Sequence, residues 1–151
     1  MQECKIIERK TQAVLYIRGN SAAKDLPDFF HKAYGSIAQH AQQEGIQFSG
    51  APYAAYYNMD MENLDVEAGF PVLLTETDKE NIHTGEIPAG RYATTIHTGP
   101  YSQVEPSYNT LMQYMQENGV ESTGIVYEFY LNDPDTTPPD QLQTQILFLL
   151  K

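Results

Sequence analysis

The sequence is short of cysteine and tryptophan, and it lacks a secretory signal. Its 151 residues include one cysteine, Cys4, and no tryptophan. A single thiol allows no disulfide within one chain, which is typical of proteins that stay in a reducing compartment. The first five residues are charged or polar and show no apolar stretch of a signal peptide. The composition therefore predicts a cytoplasmic protein.

Positive charge is also scarce, since 9 Lys and Arg stand against 20 Asp and Glu and give a net charge of −11. Such a charge repels phosphate backbones, so direct nucleic-acid binding is not expected. No apolar run approaches the roughly 20 residues that span a bilayer, so no membrane segment is expected either.

The length fits one domain, residues 1–151, by the usual prior of about 100–200 residues per domain.

The spacings typical of metal and nucleotide sites are missing. The sequence has no HxxxH, HExxH or CxxC pattern, no GxSxG elbow and no glycine-rich phosphate loop. These absences predict neither a metal nor another cofactor. His97 lies in a predicted strand, where a packed histidine is favoured over a general base.

An internal repeat is present. The frame G-x-x-Y-x-x-Y-x-N occurs at residues 50–58 and again at 124–132, so the copies start 74 residues apart, and a pair of glycines just upstream keeps the same offset. Two anchors at one offset predict two copies of one motif, at residues 1–75 and 76–151.

Each copy carries one helical pattern and three strand patterns. Apolar spacing predicts a helix over 25–44 and a second helix that carries Val104, Tyr108, Leu111 and Met115 before Gly119. Enrichment in β-branched and aromatic residues predicts strands at 13–17, 52–57, 66–74, 92–96, 125–131 and 144–150. The predicted class is therefore α+β, a tandem βαββ duplication.

Alternation along the strand 125–131 separates its two faces. The more apolar set, which is expected to lie under the helix, is Ile125, Tyr127, Phe129 and Leu131. Glu128 and Tyr130 then face the space that the two copies enclose. Glu67, between Val66 and Ala68, is expected to face solvent.

Three segments in order closely resemble one family. They are Val66-Glu67-Ala68-Gly69-Phe70-Pro71-Val72, the run EIPAGRYATTIHTGPY at 86–101, and YEFYLNDP at 127–134. They resemble GyrI-like small-molecule-binding domains, the effector-binding modules of AraC-type and multidrug-responsive bacterial regulators. The resemblance covers nearly the whole chain. It implies a curved antiparallel sheet with two helices on one face and a ligand groove between the copies.

The same resemblance implies site residues. The glutamate of the third segment is Glu128, which faces the ligand in members that take cationic lipophilic drugs. Aromatic residues implied at the groove are Tyr56, Phe70, Tyr92, Tyr101 and Tyr130. The alternative for Glu128 is a solvent-facing carboxylate. The alternative for Tyr56 and Tyr130 is packing between the two copies. The alternative for Tyr101 is a hydrophobic staple against the second helix.

Three functions follow as expectations. The first is a stand-alone protein that binds hydrophobic cationic or electrophilic compounds, because regulator members carry a helix-turn-helix domain and this chain begins at its first predicted strand. The second, also implied by the family, is a hydrolase of cyclopropane-bearing alkylating natural products, with Glu128 as general base. The third is an interaction protein of the gyrase-inhibitor type, whose negative charge imitates DNA and whose partner is gyrase or a regulator.

Overall fold

The computed structural model describes residues 3–73 and 82–151. The chain divides into two compact units: Thr11–Pro88 is one, and Met1–Lys10 with Ala89–Lys151 is the other. In the described residues each unit contains one helix and four antiparallel strands. The predicted α+β class is therefore confirmed.

The helices and strands are named in chain order. They are β1 (Lys5–Arg9), β2 (Gln12–Ser21), α1 (Leu26–Glu44), β3 (Tyr53–Tyr56), β4 (Leu64–Pro71), β5 (His83–Ile87), β6 (Gly90–Thr98), α2 (Glu105–Glu117), β7 (Ser122–Tyr130) and β8 (Gln143–Leu150). Both predicted helices and all six predicted strands are confirmed, with small shifts at their ends. Leu74, the predicted end of one strand, and the predicted repeat boundary at 75/76 lie outside the described residues.

The unit Thr11–Pro88 has the strand order β3-β4-β2-β5. Helix α1 covers one face of these strands, where Leu15, Ile37 and Ala68 belong to one buried cluster. The helix ends at Gly45, whose φ of 71° is left-handed and favours glycine over residues with a side chain.

The other unit has the strand order β1-β6-β8-β7. Helix α2 lies on one face of these strands and contributes Leu111 and Met115 to a buried cluster with Val126 and Ile146. Leu111 is fully buried, so the predicted apolar stripe of this helix is confirmed.

Both units contain the order strand, helix, strand, strand, and each adds one short edge strand. The edge strands β1 and β5 are not among the sequence predictions. Each edge strand pairs with the first strand of its βαββ set, β1 with β6 and β5 with β2. The internal duplication and the groove between its copies stay predictions.

The predicted faces of β7 are wrong. Val126 belongs to the cluster beneath α2, so by alternation Glu128 and Tyr130 share the face that α2 covers. Tyr127 and Phe129 lie on the opposite face and are buried as well. Because both faces of this strand are buried, relative hydrophobicity does not distinguish them.

Candidate functional site

A buried carboxylate lies between α2 and the strands beneath it. Glu128, near the end of β7, has a relative exposure of 8%. Tyr108 of α2 donates a hydrogen bond to its Oε2 atom, and Tyr130 donates one of 2.8 Å to Oε1. A carboxylate offers about four lone-pair sites, so two phenol donors leave it able to interact with a further group.

Burial dominates the titration of this carboxyl. Loss of solvation raises the pKa of Glu128 above its usual value of 4.5. The hydrogen bonds from Tyr108 and Tyr130 and the electrostatic effect of His97 oppose that rise. The net direction is upward, so burial outweighs these three stabilising contributions. A cation next to Glu128 would compensate the lost solvation and favour the ionised form.

Tyr101 lies at the exposed side of this cluster. It belongs to the short 3-10 turn before α2 and packs edge-on against Tyr130, with ring centres 5.3 Å apart. Its relative exposure is 37%. Burial, followed by the charges of Asp133 and Glu128, raises its pKa. Tyr101, Tyr130, Tyr108 and Glu128 therefore form one acidic aromatic cluster, which we call the Glu128 cluster.

A second polar group lies on the same face, two strands away. The His97 ring contacts the Ser107 hydroxyl through Nδ1 at 2.9 Å and the Pro100 carbonyl oxygen through Nε2 at 3.1 Å. Since a carbonyl only accepts, Nε2 donates to Pro100, while the Ser107 hydroxyl is able to donate to Nδ1 or to accept from it. The expectation of a packed histidine is confirmed in these contacts.

The expected exposure of Glu67 is wrong. Glu67 of β4 has a relative exposure of 6%. Tyr53 donates a hydrogen bond to its Oε2 atom, and Tyr57 donates one of 2.6 Å to Oε1. These two donors compensate for the solvation that the carboxylate loses, which is why it can be buried.

Arg18 of β2 is the cross-strand partner of Glu67, and the two side chains interact electrostatically. The Arg18 guanidinium lies 3.8 Å from the centre of the Tyr57 ring. It also forms two hydrogen bonds to Asp65, of 2.9 and 2.7 Å, which lower the pKa of Asp65. The Tyr57 ring and the Asp65 carboxylate thus hold the Arg18 guanidinium, the first by cation–π attraction and the second by charge pairing.

The remaining residues implied at the groove are placed elsewhere. Tyr92 of β6 lies on the face opposite α2 and packs against Tyr127, with ring centres 6.1 Å apart. Phe70 and Tyr56 belong to the other unit. Phe70 stacks on Phe48 at 4.0 Å. Glu128, Tyr101 and Tyr130 are therefore the predicted site residues that the structure brings together.

A cavity of about 640 Å³ lies along β6 and is lined by side chains of β1, β6, β8 and the start of α2. His97 and Ser107 line it, together with Glu3, Lys5 and several threonine and glutamine side chains, but neither Glu128 nor Tyr130 does. Its described lining contains no tyrosine or phenylalanine. This lining differs from the Glu128 cluster, where tyrosine rings lie around a buried carboxylate. In residues 3–73 and 82–151, no group of three or more His, Cys, Asp or Glu side chains is arranged to hold a metal ion.

Tyr108 is not among the predicted site residues. Tyr108 lies 74 residues after Tyr34, the repeat offset, but its helical spacing indicated only a core residue. No helix in the described part of the chain is both long and apolar enough to cross a membrane.

The chain belongs to the GyrI-like family, since the model of the GyrI-like small molecule binding domain matches residues 2–151. The resemblance of the three sequence segments is thereby confirmed. No curated protein sequence matches the chain.

Solved structures share the fold. The chain superposes on the EcmrR C-terminal domain with a TM-score of 0.87 and 23% identity, covering 100% of this chain and 98% of that one. In an EcmrR–DNA complex the match has a TM-score of 0.87 and 24% identity, and it covers 99% of this chain but 57% of the regulator's length. At these identities the likeness shows the fold alone.

Two further structures with this fold are a hydrolase and a protein solved with a bound cation. A hydrolase from Listeria innocua matches with a TM-score of 0.69 and 13% identity, over 99% of this chain and 92% of that chain. SAV2435, solved bound to tetraphenylphosphonium, matches with a TM-score of 0.68 and 10% identity, over 99% and 94%. Binding domains and a hydrolase thus occur on this fold.

Proposed function

We propose that this protein binds hydrophobic aromatic cations at the Glu128 cluster. The observation that carries the proposal is a buried carboxylate surrounded by the tyrosines Tyr101, Tyr108 and Tyr130. Such a site supplies a negative charge and several aromatic faces, which are the two features that recognise an aromatic cation.

The contrast with Glu67 supports a ligand of positive charge. Both buried glutamates accept hydrogen bonds from two tyrosines, but Glu67 also interacts electrostatically with Arg18, whose guanidinium lies over the Tyr57 ring. Among the described residues, the basic side chain whose electrostatic effect lowers the pKa of Glu128 is His97, whose two ring nitrogens contact Ser107 and Pro100. A cationic ligand can therefore supply at Glu128 the charge that Arg18 supplies at Glu67.

The family and one neighbour support the same chemistry. GyrI-like domains are small-molecule-binding domains, and SAV2435 has been solved with the lipophilic cation tetraphenylphosphonium. We infer that binding sequesters or senses foreign compounds of several structures, in the cytoplasm of a bacterium. The partner is a small molecule, with neither nucleic acid nor membrane involved.

A titration with tetraphenylphosphonium tests the proposal. Glu128→Gln keeps the side-chain volume and removes the charge, so affinity should fall by the value of a charged contact, about 1.5–3 kcal/mol. The matched control is Glu67→Gln, the same change at a buried glutamate with two tyrosine donors, and it should leave the affinity unchanged. Isothermal titration calorimetry measures both.

A neutral probe separates charge from shape. Triphenylphosphine oxide has three aromatic rings and no net charge, so its affinity should be nearly the same for the wild type and for Glu128→Gln. Equal loss of both probes in Glu128→Gln would indicate a damaged site rather than a lost charge. Unchanged affinity for tetraphenylphosphonium in Glu128→Gln would contradict the proposal.

A hydrolase is the second candidate, favoured by the raised pKa of Glu128, which makes this carboxylate a stronger base than an ordinary glutamate. The Listeria innocua hydrolase shows that a hydrolase occurs on this fold. Here Glu128 takes a proton from water as the water oxygen bonds to a cyclopropane carbon. The ring bond breaks, its electron pair moves onto the conjugated carbonyl group, and that group is then protonated.

Mass spectrometry of a cyclopropane-bearing alkylator tests this second candidate. Turnover should add one water to the substrate, and Glu128→Gln should slow it by about 10²–10⁴, the usual contribution of a positioned base. Binding without any product would exclude it. The gyrase-inhibitor alternative stays a prediction, and a DNA supercoiling assay with purified gyrase tests it.

A further inference from the structure

Thr144 lies beneath α2, between His97 and the Tyr130 side of the Glu128 cluster. It is the second residue of β8 and pairs directly with His97 on one side and with Tyr130 on the other. Side chains at such opposed positions have Cβ atoms about 4.5–5.5 Å apart. Ile146 and Phe148 belong to the cluster beneath α2, so alternation places Thr144 on the same face.

The Thr144 hydroxyl is buried without a hydrogen-bond partner among the described residues. The relative exposure of the residue is 1%. Leaving a buried hydroxyl unpaired is destabilising, and valine fills nearly the same volume without that cost. A polar group that a fold keeps in this state calls for a specific explanation.

The neighbouring polar groups already have other contacts. His97 uses both ring nitrogens, one toward Ser107 and one toward Pro100. The Tyr130 hydroxyl donates to Glu128. The hydroxyl of Thr144 therefore lies beside the Glu128 cluster, and its missing partner is best supplied by a molecule that binds there.

We propose that Thr144 is a specificity-determining residue, which selects aromatic cations that carry an oxygen atom near their charged centre. This inference rests on the proposed function of Glu128 as the partner of the cation. The ligand oxygen is a hydroxyl or carbonyl group, because the threonine hydroxyl can donate to either and accept from the former. Glu128 then forms an ion pair with the ligand cation, and Thr144 forms a hydrogen bond with the ligand oxygen.

Two matched probes test the proposal. Tetraphenylphosphonium has no hydrogen-bonding group, and (hydroxyphenyl)triphenylphosphonium, used as its meta and para isomers, adds one hydroxyl. Both are titrated into the wild type, Thr144→Val and Thr144→Ser. The control is Thr94→Val, a buried threonine on the opposite face whose hydroxyl donates to the Ile146 carbonyl at 2.8 Å.

We expect the wild type to bind one hydroxylated isomer more tightly than the parent cation. Thr144→Val should lose that preference, by roughly five- to tenfold in affinity, the value of one hydrogen bond. Affinity for the parent cation should not change, Thr144→Ser should keep the preference, and Thr94→Val should behave as the wild type. The ratio of the two affinities is the decisive readout, because a purely structural role of Thr144 would alter both equally.

The failures of the two proposals are distinguishable. If the parent cation binds and Glu128→Gln weakens it, but Thr144→Val keeps the wild-type ratio, the hydroxyl of Thr144 bonds only to water and this inference is wrong. If the parent cation does not bind the wild type, or binds Glu128→Gln equally well, the proposed function fails and this inference fails with it. A lowered melting temperature of Thr144→Val together with equal losses for both probes would also overturn it.

Discussion

Tyr130 donates a 2.8 Å hydrogen bond to Glu128, the residue two positions before it on the same strand and the same face. This contact stabilises the ionised carboxylate and lowers the pKa of Glu128 against the effect of burial. The position of the Tyr130 ring therefore affects the charge state of Glu128, and with it the proposed binding of cations. Removal of the Tyr130 hydroxyl would break this hydrogen bond.

Tyr130→Phe should raise the pKa of Glu128 further, because one of two phenol donors to the carboxylate is lost. Binding of tetraphenylphosphonium should then begin at higher pH than in the wild type. Calorimetric titrations across a pH series measure this midpoint. Tyr127→Phe removes a hydroxyl on the opposite face, and it should leave the midpoint unchanged. Equal midpoints for Tyr130→Phe and the wild type would show that this contact does not control the carboxyl.

Stability should respond to pH through Glu128 with a definite sign. Because its folded pKa lies above 4.5, the native state holds a proton that the unfolded chain releases, and the free energy of unfolding falls as pH rises above 4.5. Glu128→Gln has no such loss, so it should match the wild type near pH 4.5 and gain relative stability toward neutral pH.

Urea unfolding at several pH values measures this difference. Glu121→Gln, an exposed carboxylate 3.3 Å from the Lys151 ammonium, is the control and should differ from the wild type by less than about 0.5 kcal/mol throughout. A constant offset between Glu128→Gln and the wild type would mean that the carboxyl titrates alike in both states.

The core beneath α2 should be sensitive at Leu111, which is fully buried. Leu111→Ala should lower the free energy of unfolding by about 2–5 kcal/mol through lost burial and a residual cavity. Met112, its neighbour, has a relative exposure of 47%, so Met112→Ala should cost under about 0.5 kcal/mol. Denaturant melts of both variants test this, and similar losses would contradict the assigned helix face.

Two glycines should respond oppositely to alanine. Gly35 lies within α1 with open space where a Cβ would lie, so Gly35→Ala should stabilise the protein by about 0.5–1 kcal/mol. At Gly69 a Cβ would lie 2.5 Å from the Leu15 carbonyl oxygen and 2.8 Å from the Tyr53 ring, so Gly69→Ala should destabilise it. Thermal unfolding compares the two, and destabilisation by Gly35→Ala would contradict its open surroundings.

Long periodic segments were predictable from the sequence, and short edge strands were not. The stripe of α2 repeats over three turns, which is enough to define a helix and its buried face. The edge strands β1 and β5 have five residues each and mix charge with apolar groups. Such composition is common at sheet edges and gives no clear alternation.

The candidate site was predictable in part. Glu128, Tyr101 and Tyr130 were expected together from the family resemblance, and the structure brings them together. The face of Glu128 was predicted wrongly because Tyr127 and Phe129 are as buried as the residues beneath α2. The burial of Glu67 was missed because it depends on Tyr53 and Tyr57, whose hydroxyls meet it only after the strands have paired.

The pairing of β1 with β6 has a consequence for biosynthesis. Lys5–Arg9 is translated before the unit Thr11–Pro88, but its partner Gly90–Thr98 is translated only after the whole of that unit. Since parts of a chain that are synthesised earlier generally fold earlier, the contiguous unit Thr11–Pro88 can fold before β6 is available to pair with β1. A pause in translation near residue 89 would therefore leave an exposed strand on the nascent chain, available to chaperones.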